Sequence, residues 1–276
     1  MKKISEKNSA DKPIGVFDSG IGGLTVLSEI AKLLPYENTV YLGDTARVPY
    51  GSKSKETVVR YAFEDAAFLL KHDIKLLVVA CNTASAYALT RLEKQLHIPV
   101  VGVIRPGAKA AVAVTKTKKI GVIGTEGTIK SSAYTKTINT ADRGIKTYTS
   151  ACPLFVPLVE EGWTNNKIAL GVAKEYLSEI KNIGIDTLVL GCTHYPLLKD
   201  IINKVMGNKV KLIDSAEATA GEVKRMLSES GQLTRRKTEA RHKFFVTDSP
   251  ERFIKVGKKF FGVRLSKAKL ARLEGN

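Results

Sequence analysis

Apolar and polar positions alternate along this chain in two rhythms. Short runs of branched apolar residues stand at 16–17, 40–42, 76–80, 100–104, 120–123, 188–191 and 210–213. Bounded by polar or glycine-containing turns, they read as buried strands. Between them, residues 24–34, 56–71, 84–95, 107–115, 131–139, 168–180 and 195–205 repeat their apolar positions with a helical period. Such alternation, with short connections, predicts parallel sheets covered by helices, an α/β fold. Near the end, Phe244, Phe245 and Val246 read as a further strand. Phe253, Val256, Phe260 and Phe261 fall on one face of a closing helix.

The pattern also repeats. Ile14-Gly15-Val16-Phe17-Asp18-Ser19 returns as Ile120-Gly121-Val122-Ile123-Gly124-Thr125, 106 residues later. The stretch from Ile74 to Thr83 returns from Ile185 to His194, 111 residues later. Two matches in the same order at nearly equal offsets predict two pseudo-symmetric α/β domains with mostly parallel sheets, facing each other across a cleft that holds the active site. The expected division is 1–104 completed by 215–276 for the first domain and 105–214 for the second. The C-terminal strand and helix then add to an existing core.

Each copy of the longer repeat ends a buried strand on a cysteine, Cys81 and Cys192, with a helix expected next. In open parallel sheets, ligands bind beyond the carboxyl ends of the strands. A helix start there offers free N–H groups and partial positive charge, which favour a thiolate and can lower a thiol pKa below its usual value of about 8.5. The same groups can hold a carboxylate. Two thiols from facing halves suit a carbon acid held between them: one removes a proton and the other returns one to the opposite face. A disulfide redox pair is the competing chemistry, but the sequence contains no C-x-x-C. No Cys/His spacing matches a structural zinc site, so no metal is expected. Cys152 lies outside the repeat and reads as structural. The glycines Gly20, Gly22 and Gly23 read either as a phosphate loop or as room for a tight strand-to-helix turn. Asp18 reads as an acid/base group or as a helix cap.

Composition narrows the setting. The 276 residues are 43% hydrophobic and 26% charged, an ordinary globular mixture. No apolar run approaches the ~20 residues of a membrane span, and residues 1–12 lack the apolar stretch of a secretory signal. Three cysteines cannot build a disulfide framework, so a reducing, cytoplasmic setting is expected. The formal net charge is +17, and residues 232–276 hold 13 Lys and Arg against 4 Asp and Glu. Nucleic-acid or gyrase binding through this basic segment is the reading from another functional class. Solvated lysines on an amphipathic helix explain the same residues and are preferred.

The residues also carry a family resemblance. The segment from Gly15 to Val26, the block from Gly43 to Gly51, Ala80-Cys81-Asn82-Thr83-Ala84-Ser85, Gly191-Cys192-Thr193-His194-Tyr195-Pro196 and the block from Pro157 to Gly162 together resemble glutamate racemases, of the aspartate/glutamate racemase family. The likeness runs from about Ile14 to about Phe261. It implies interconversion of L- and D-glutamate without a cofactor, supplying D-glutamate for peptidoglycan, by a chain that forms a homodimer; the lack of long apolar runs adds the expectation of no membrane partner. It implies Cys81 and Cys192 as the acid/base thiols, with Asp18 assisting the first and Glu160 and His194 the second. Asp18, Ser19, Tyr50, Gly51, Asn82, Thr83, Thr193 and His194 are then the substrate contacts. The adjacent Glu161 leaves the register of the assisting carboxylate open. Aspartate racemases, hydantoin racemases and maleate-isomerase-like enzymes are the nearest rivals, and His194 after Cys192 favours the glutamate branch.

Overall fold

Ile14–Asp18 (β1), Thr39–Gly43 (β2), Leu76–Val79 (β3) and Val100–Gly102 (β4) alternate with the helices Leu24–Leu33 (α1), Lys55–Leu70 (α2) and Asn82–Gln95 (α3) in a computed structural model that describes residues 9–262 and 265–273. Ile104–Val114 (α4) leads to Lys119–Gly124 (β5), followed by Glu126–Lys130 (α5) and Ala133–Ala141 (α6). Lys146–Ala151 (β6), Phe155–Glu160 (α7), Lys167–Asn182 (α8), Thr187–Gly191 (β7), Lys199–Met206 (α9) and Lys211–Asp214 (β8) come next. Ser215–Glu229 (α10), His242–Val246 (β9), Pro250–Phe261 (α11) and Lys269–Leu270 (β10) close the chain. Residues 1–8 of the polar start lie outside the described residues. Among the described residues, no helix is long and apolar enough to cross a membrane.

The strands form two wholly parallel sheets, ordered β10-β9-β2-β1-β3-β4 and β6-β5-β7-β8. The four strands β2-β1-β3-β4 thus repeat as β6-β5-β7-β8. The sequence repeat is a repeat of pairing as well. Gly15 pairs with Leu77 in the first sheet, and their counterparts Gly121 and Leu188 pair in the second. The α/β fold with two related halves is therefore present, and β9 and β10 extend the first sheet beyond β2.

Burial explains which elements form and which were legible. β1, β2, β3 and β7 are buried at every residue, so their sequences are nearly continuous apolar runs. β6 was not foreseen, because this edge strand (Lys-Thr-Tyr-Thr-Ser-Ala) buries no residue fully. α10 escaped for a related reason. It packs on α1 and α4 through Ala216, Thr219, Ala220 and Val223, small side chains that leave little apolar signal. The expected strand at 100–104 stops at Gly102, and Ile104 begins α4 instead. In α11, Phe253, Phe260 and Phe261 are buried and Lys255, Lys258 and Lys259 are exposed. Each buried phenylalanine contributes about 1.5–3 kcal/mol, so this segment is anchored by its rings while its lysines stay solvated. A buried Lys75 ties the C-terminal part to the first sheet. Its Nζ donates to Glu37 Oε2 (2.6 Å) and to the carbonyls of Ala10 (2.7 Å) and Gln232 (2.8 Å).

Candidate active site

The carboxyl ends of β1, β3 and β7 meet at a small cavity lined by Ser19, Tyr50, Gly51, Cys81, Asn82, Thr83, Cys192, Thr193 and His194. Its empty space is about 350 Å³, counting solvent at the mouth. Nine of the sequence-selected residues thus line one cavity, with Asp18 bonded to Thr193 and Glu160 to His194 outside the lining. A larger depression at Asp11, Asn38, His72 and Arg236 contains none of them.

Cys81 follows β3 as the extended N-cap of α3, its carbonyl accepting the Ser85 N–H at 2.8 Å. Its sulfur donates to Ser19 Oγ at 3.7 Å and lies over the Ala84 N–H. The helix start does not acidify this thiol. Burial, reinforced by the Asp18 charge, pushes Cys81 up to about 12, against the opposite pull of Ala84 N–H and Ser19. At a buried sulfur, desolvation outweighs one helix start.

Cys192 is built differently. The residues after it form a 3-10 turn, Tyr195–Leu198, with Pro196 in its first positions, and α9 begins only at Lys199. The expected helix start beside this thiol is thus replaced by a turn. Instead, Cys192 Sγ lies 3.9 Å from His194 Nδ1, and His194 Nε2 lies 3.3 Å from Glu160 Oε1. Burial alone depresses the imidazole. Cys192, Glu160 and Asp18 overcome it and raise His194 to about 10. The bond to His194 holds Glu160 below its ordinary value, and Arg252 Nη2 sits 3.9 Å from its other oxygen. Phe260 of α11 packs edge-on against the imidazole, ring centroids 5.8 Å apart. Glu161 faces the apolar groove of Leu154 and Trp163, so the register is resolved in favour of Glu160 as the neighbour of His194.

Asp18 is fully buried at the end of β1. It accepts the Gly20 N–H at 2.9 Å and the Thr193 hydroxyl at 3.5 Å. Burial raises its pKa although His194 and these donors oppose the shift. The glycines that follow give close approach. A Cβ on Gly22 would lie 2.2 Å from Thr193 Oγ1 and 2.5 Å from His194 Nδ1, and one on Gly23 2.4 Å from Asp18 Cβ. Gly22 therefore needs to be glycine because the other half of the site occupies that space, and Gly23 because Asp18 of its own half does.

Asn82 accepts the Tyr134 hydroxyl on Oδ1 at 2.8 Å, while its buried Nδ2 has no partner. Buried amide donors are normally satisfied, so an orphan in a cavity wall is a waiting donor. Thr83 Oγ1 lies 2.9 Å from Thr125 Oγ1 and 3.2 Å from Thr128 Oγ1, and the last two are 3.1 Å apart. This hydroxyl triangle joins α3 to the turn after β5. Thr125 also lines the cavity and was missed by sequence reasoning. The signal was present, since Thr125 is the repeat counterpart of Ser19.

Tyr50 is held by its other end. Its buried hydroxyl bonds to Asp44 and to Asp65, the latter at 2.9 Å, away from the thiols. Gly51 meanwhile packs against Thr125, where a Cβ would come within 2.6 Å of that side chain. Cys152 is buried outside the cavity lining, its carbonyl accepting the Tyr195 hydroxyl at 2.8 Å. Among the described residues, no group of three or more His, Cys, Asp or Glu is arranged to hold a metal ion.

Comparison with known proteins identifies relatives of the chain. Residues 14–223 match the model of the Asp/Glu/Hydantoin racemase family. The glutamate racemase of Geobacter metallireducens is 60% identical over 255 residues, 92% of this chain and 94% of that protein. The crystal structure of glutamate racemase isoform RacE1 from Bacillus anthracis superposes with a TM-score of 0.91 at 43% identity, covering 96% of this chain and 98% of that one. The Francisella tularensis glutamate racemase in complex with D-glutamate gives 0.91 at 38% identity, covering 97% and 100%.

Proposed function

Since the chain belongs to the Asp/Glu/Hydantoin racemase family, we propose that it is a glutamate racemase that moves a proton between two thiols, Cys81 and Cys192. The observation that carries this reading is their placement. The two cysteines end β3 and β7, strands that correspond in the internal repeat, and they line one cavity. A carbon acid between them presents one face to each sulfur.

Each direction of reaction uses one thiolate and one thiol. Cys192 as thiolate takes the α-proton of L-glutamate, and Cys81 as thiol delivers a proton to the opposite face, leaving D-glutamate. The thiols have then exchanged states, and proton exchange resets them. The raised Cys81 suits the acid role, and the His194 cation is the partner for negative charge on Cys192. Asp18 supports Cys81 in the reverse direction, and Glu160 keeps His194 charged.

The α-proton of an amino acid carrying a carboxylate is very weakly acidic. Preorganised donors must therefore stabilise the charge that develops as it leaves. The unpartnered Asn82 Nδ2, with Ser19, Thr83, Thr193 and the Gly51 backbone, supplies such donors around the α-carboxylate. The chain's own side chains carry every proton transfer, without a cofactor.

The reading includes supply of D-glutamate for peptidoglycan in the cytoplasm and a homodimer, the latter tested by sedimentation of the purified chain. It keeps the division at about 104/105 and 214/215, supported by the strand membership of the two sheets. Polarimetry on pure L- or D-glutamate with no added cofactor tests the function. Decay of optical rotation to zero from either side is expected, and constant rotation from both would overturn it.

A further inference from the structure

Beneath the cavity wall lies a buried charged cluster that the proposed reaction does not use. Asp44 and Asp65 are both fully buried, on the loop after β2 and on α2 respectively. Asp44 is amply supplied with donors. Its Oδ2 accepts Arg47 Nε at 2.7 Å and the Tyr50 hydroxyl, and its Oδ1 accepts the Thr247 hydroxyl at 2.9 Å. Asp65 has Arg47 Nη2 at 3.3 Å on Oδ1, and the Tyr50 oxygen at 2.9 Å on Oδ2. Arg47 is shared further, since its Nη1 binds Glu64 and its guanidinium stacks 3.9 Å from the Tyr61 ring centroid. Arg60 reaches the outer side of this group, with Nε 3.9 Å from Glu64 Oε1.

The proton count does not close with both aspartates ionised. The Tyr50 hydroxyl owns one hydrogen, yet its oxygen touches a carboxylate oxygen on each side. One of those contacts would set two acceptors against each other in a buried site. Asp44 already takes bonds from Arg47 and Thr247, so Tyr50 donates to it and the second proton belongs to Asp65 Oδ2. We propose that Asp65 is a neutral carboxylic acid that donates to Tyr50 and thereby holds the Tyr50–Ser52 turn as a fixed wall of the cavity. The environment agrees, since burial and the charge of Asp44 both push Asp65 well above the usual carboxylate range. Asp65 touches no cavity space, so it is a positioning residue acting through Tyr50. Its effect reaches Gly51, packed on Thr125 from the opposite half.

The positioning part rests on the reading of this cavity as the glutamate site, whereas the protonation part does not. Infrared difference spectra of the folded chain at neutral pH test the latter. Wild type should show a protonated-carboxyl C=O band that disappears in Asp65→Asn. Absence of the band, or its loss in Asp44→Asn with retention in Asp65→Asn, overturns the assignment. Kinetics test the former. Asp65→Asn, which keeps a donor for Tyr50 and an acceptor for Arg47, should retain the wild-type KM for glutamate. Asp65→Leu should raise KM about tenfold with a smaller change in kcat. Equal impairment of the two variants, both folded by circular dichroism, overturns the positioning role. A wild type that does not racemise glutamate at all counts against the function and leaves the infrared result standing.

Discussion

Cys192 Sγ lies 3.9 Å from Nδ1 of His194, a cation-forming ring two residues along the chain, whereas Cys81 has Ser19, a backbone N–H and the negative field of Asp18 beside it. The two thiols occupy corresponding strand ends in the repeat yet face opposite electrostatics. A two-base reaction needs the sulfurs in opposite protonation states, because one must give a proton while the other takes one.

Replacing either thiol should therefore abolish racemisation in both directions but spare different half-reactions. Serine is a far weaker acid than a thiol, whose ordinary pKa is about 8.5. With a glutamate analogue carrying a β-leaving group, Cys81→Ser should eliminate from the L form and Cys192→Ser from the D form. The same enantiomer preference in both variants would sink the mechanism, as would near-normal racemisation in either.

Thr83→Val should lower kcat/KM about ten- to a hundredfold, the size of losing one hydrogen bond to a charged group, without unfolding the chain. Because Thr83, Thr125 and Thr128 bond to one another, Thr125→Val should cost a similar amount. The double variant should then lose less than the product of the single losses. Independent, multiplying effects in steady-state assays would separate the hydroxyls functionally.

Glu160→Gln removes a negative neighbour that keeps His194 protonated, so the upper limb of the pH–rate profile from L-glutamate should move to lower pH. Glu161→Gln should leave that limb in place. A shift in the Glu161 variant instead would reverse the assignment of the carboxylate.

The same histidine makes stability depend on pH. Its folded-state pKa is raised from 6.5 to about 10, so the stabilisation is complete below about 6.5 and is lost as pH rises through about 10. One proton sets the slope in that window at no more than about 1.4 kcal/mol per pH unit. Urea midpoints should fall across it in wild type and fall less in His194→Gln. Parallel curves for the two proteins would contradict the charged pair.

Gly22→Ala should abolish activity at modest cost in stability. The new methyl would press on Thr193 and His194, and overpacking of this kind costs about 1–3 kcal/mol. A thermal melt close to wild type alongside a large loss of kcat is expected. Full activity would mean the turn can yield.

The α/β class, the paired halves and the convergence of Cys81 and Cys192 on one cavity could all be read from the chain alone. β1, β3, β5 and β7 have cores buried from both faces, so their apolar runs and their repetition survive in the one-dimensional pattern. Elements that bury little, such as β6, or bury only small side chains, such as α10, left no comparable trace. Tertiary structure decided what the site residues experience. Sequence placed Cys81 at a helix start, but only the packed cavity sets the desolvation that makes this thiol a weak acid. Sequence offered two adjacent glutamates, and the direction of one helical turn puts Glu160 on His194 and Glu161 on the outer groove. Tyr50 could be singled out by its motif, yet its hydroxyl turns to Asp44 and Asp65, partners 6 and 15 residues away. Side-chain identity and periodicity are local properties of the chain. Burial and charge at a point are sums over everything folded around it.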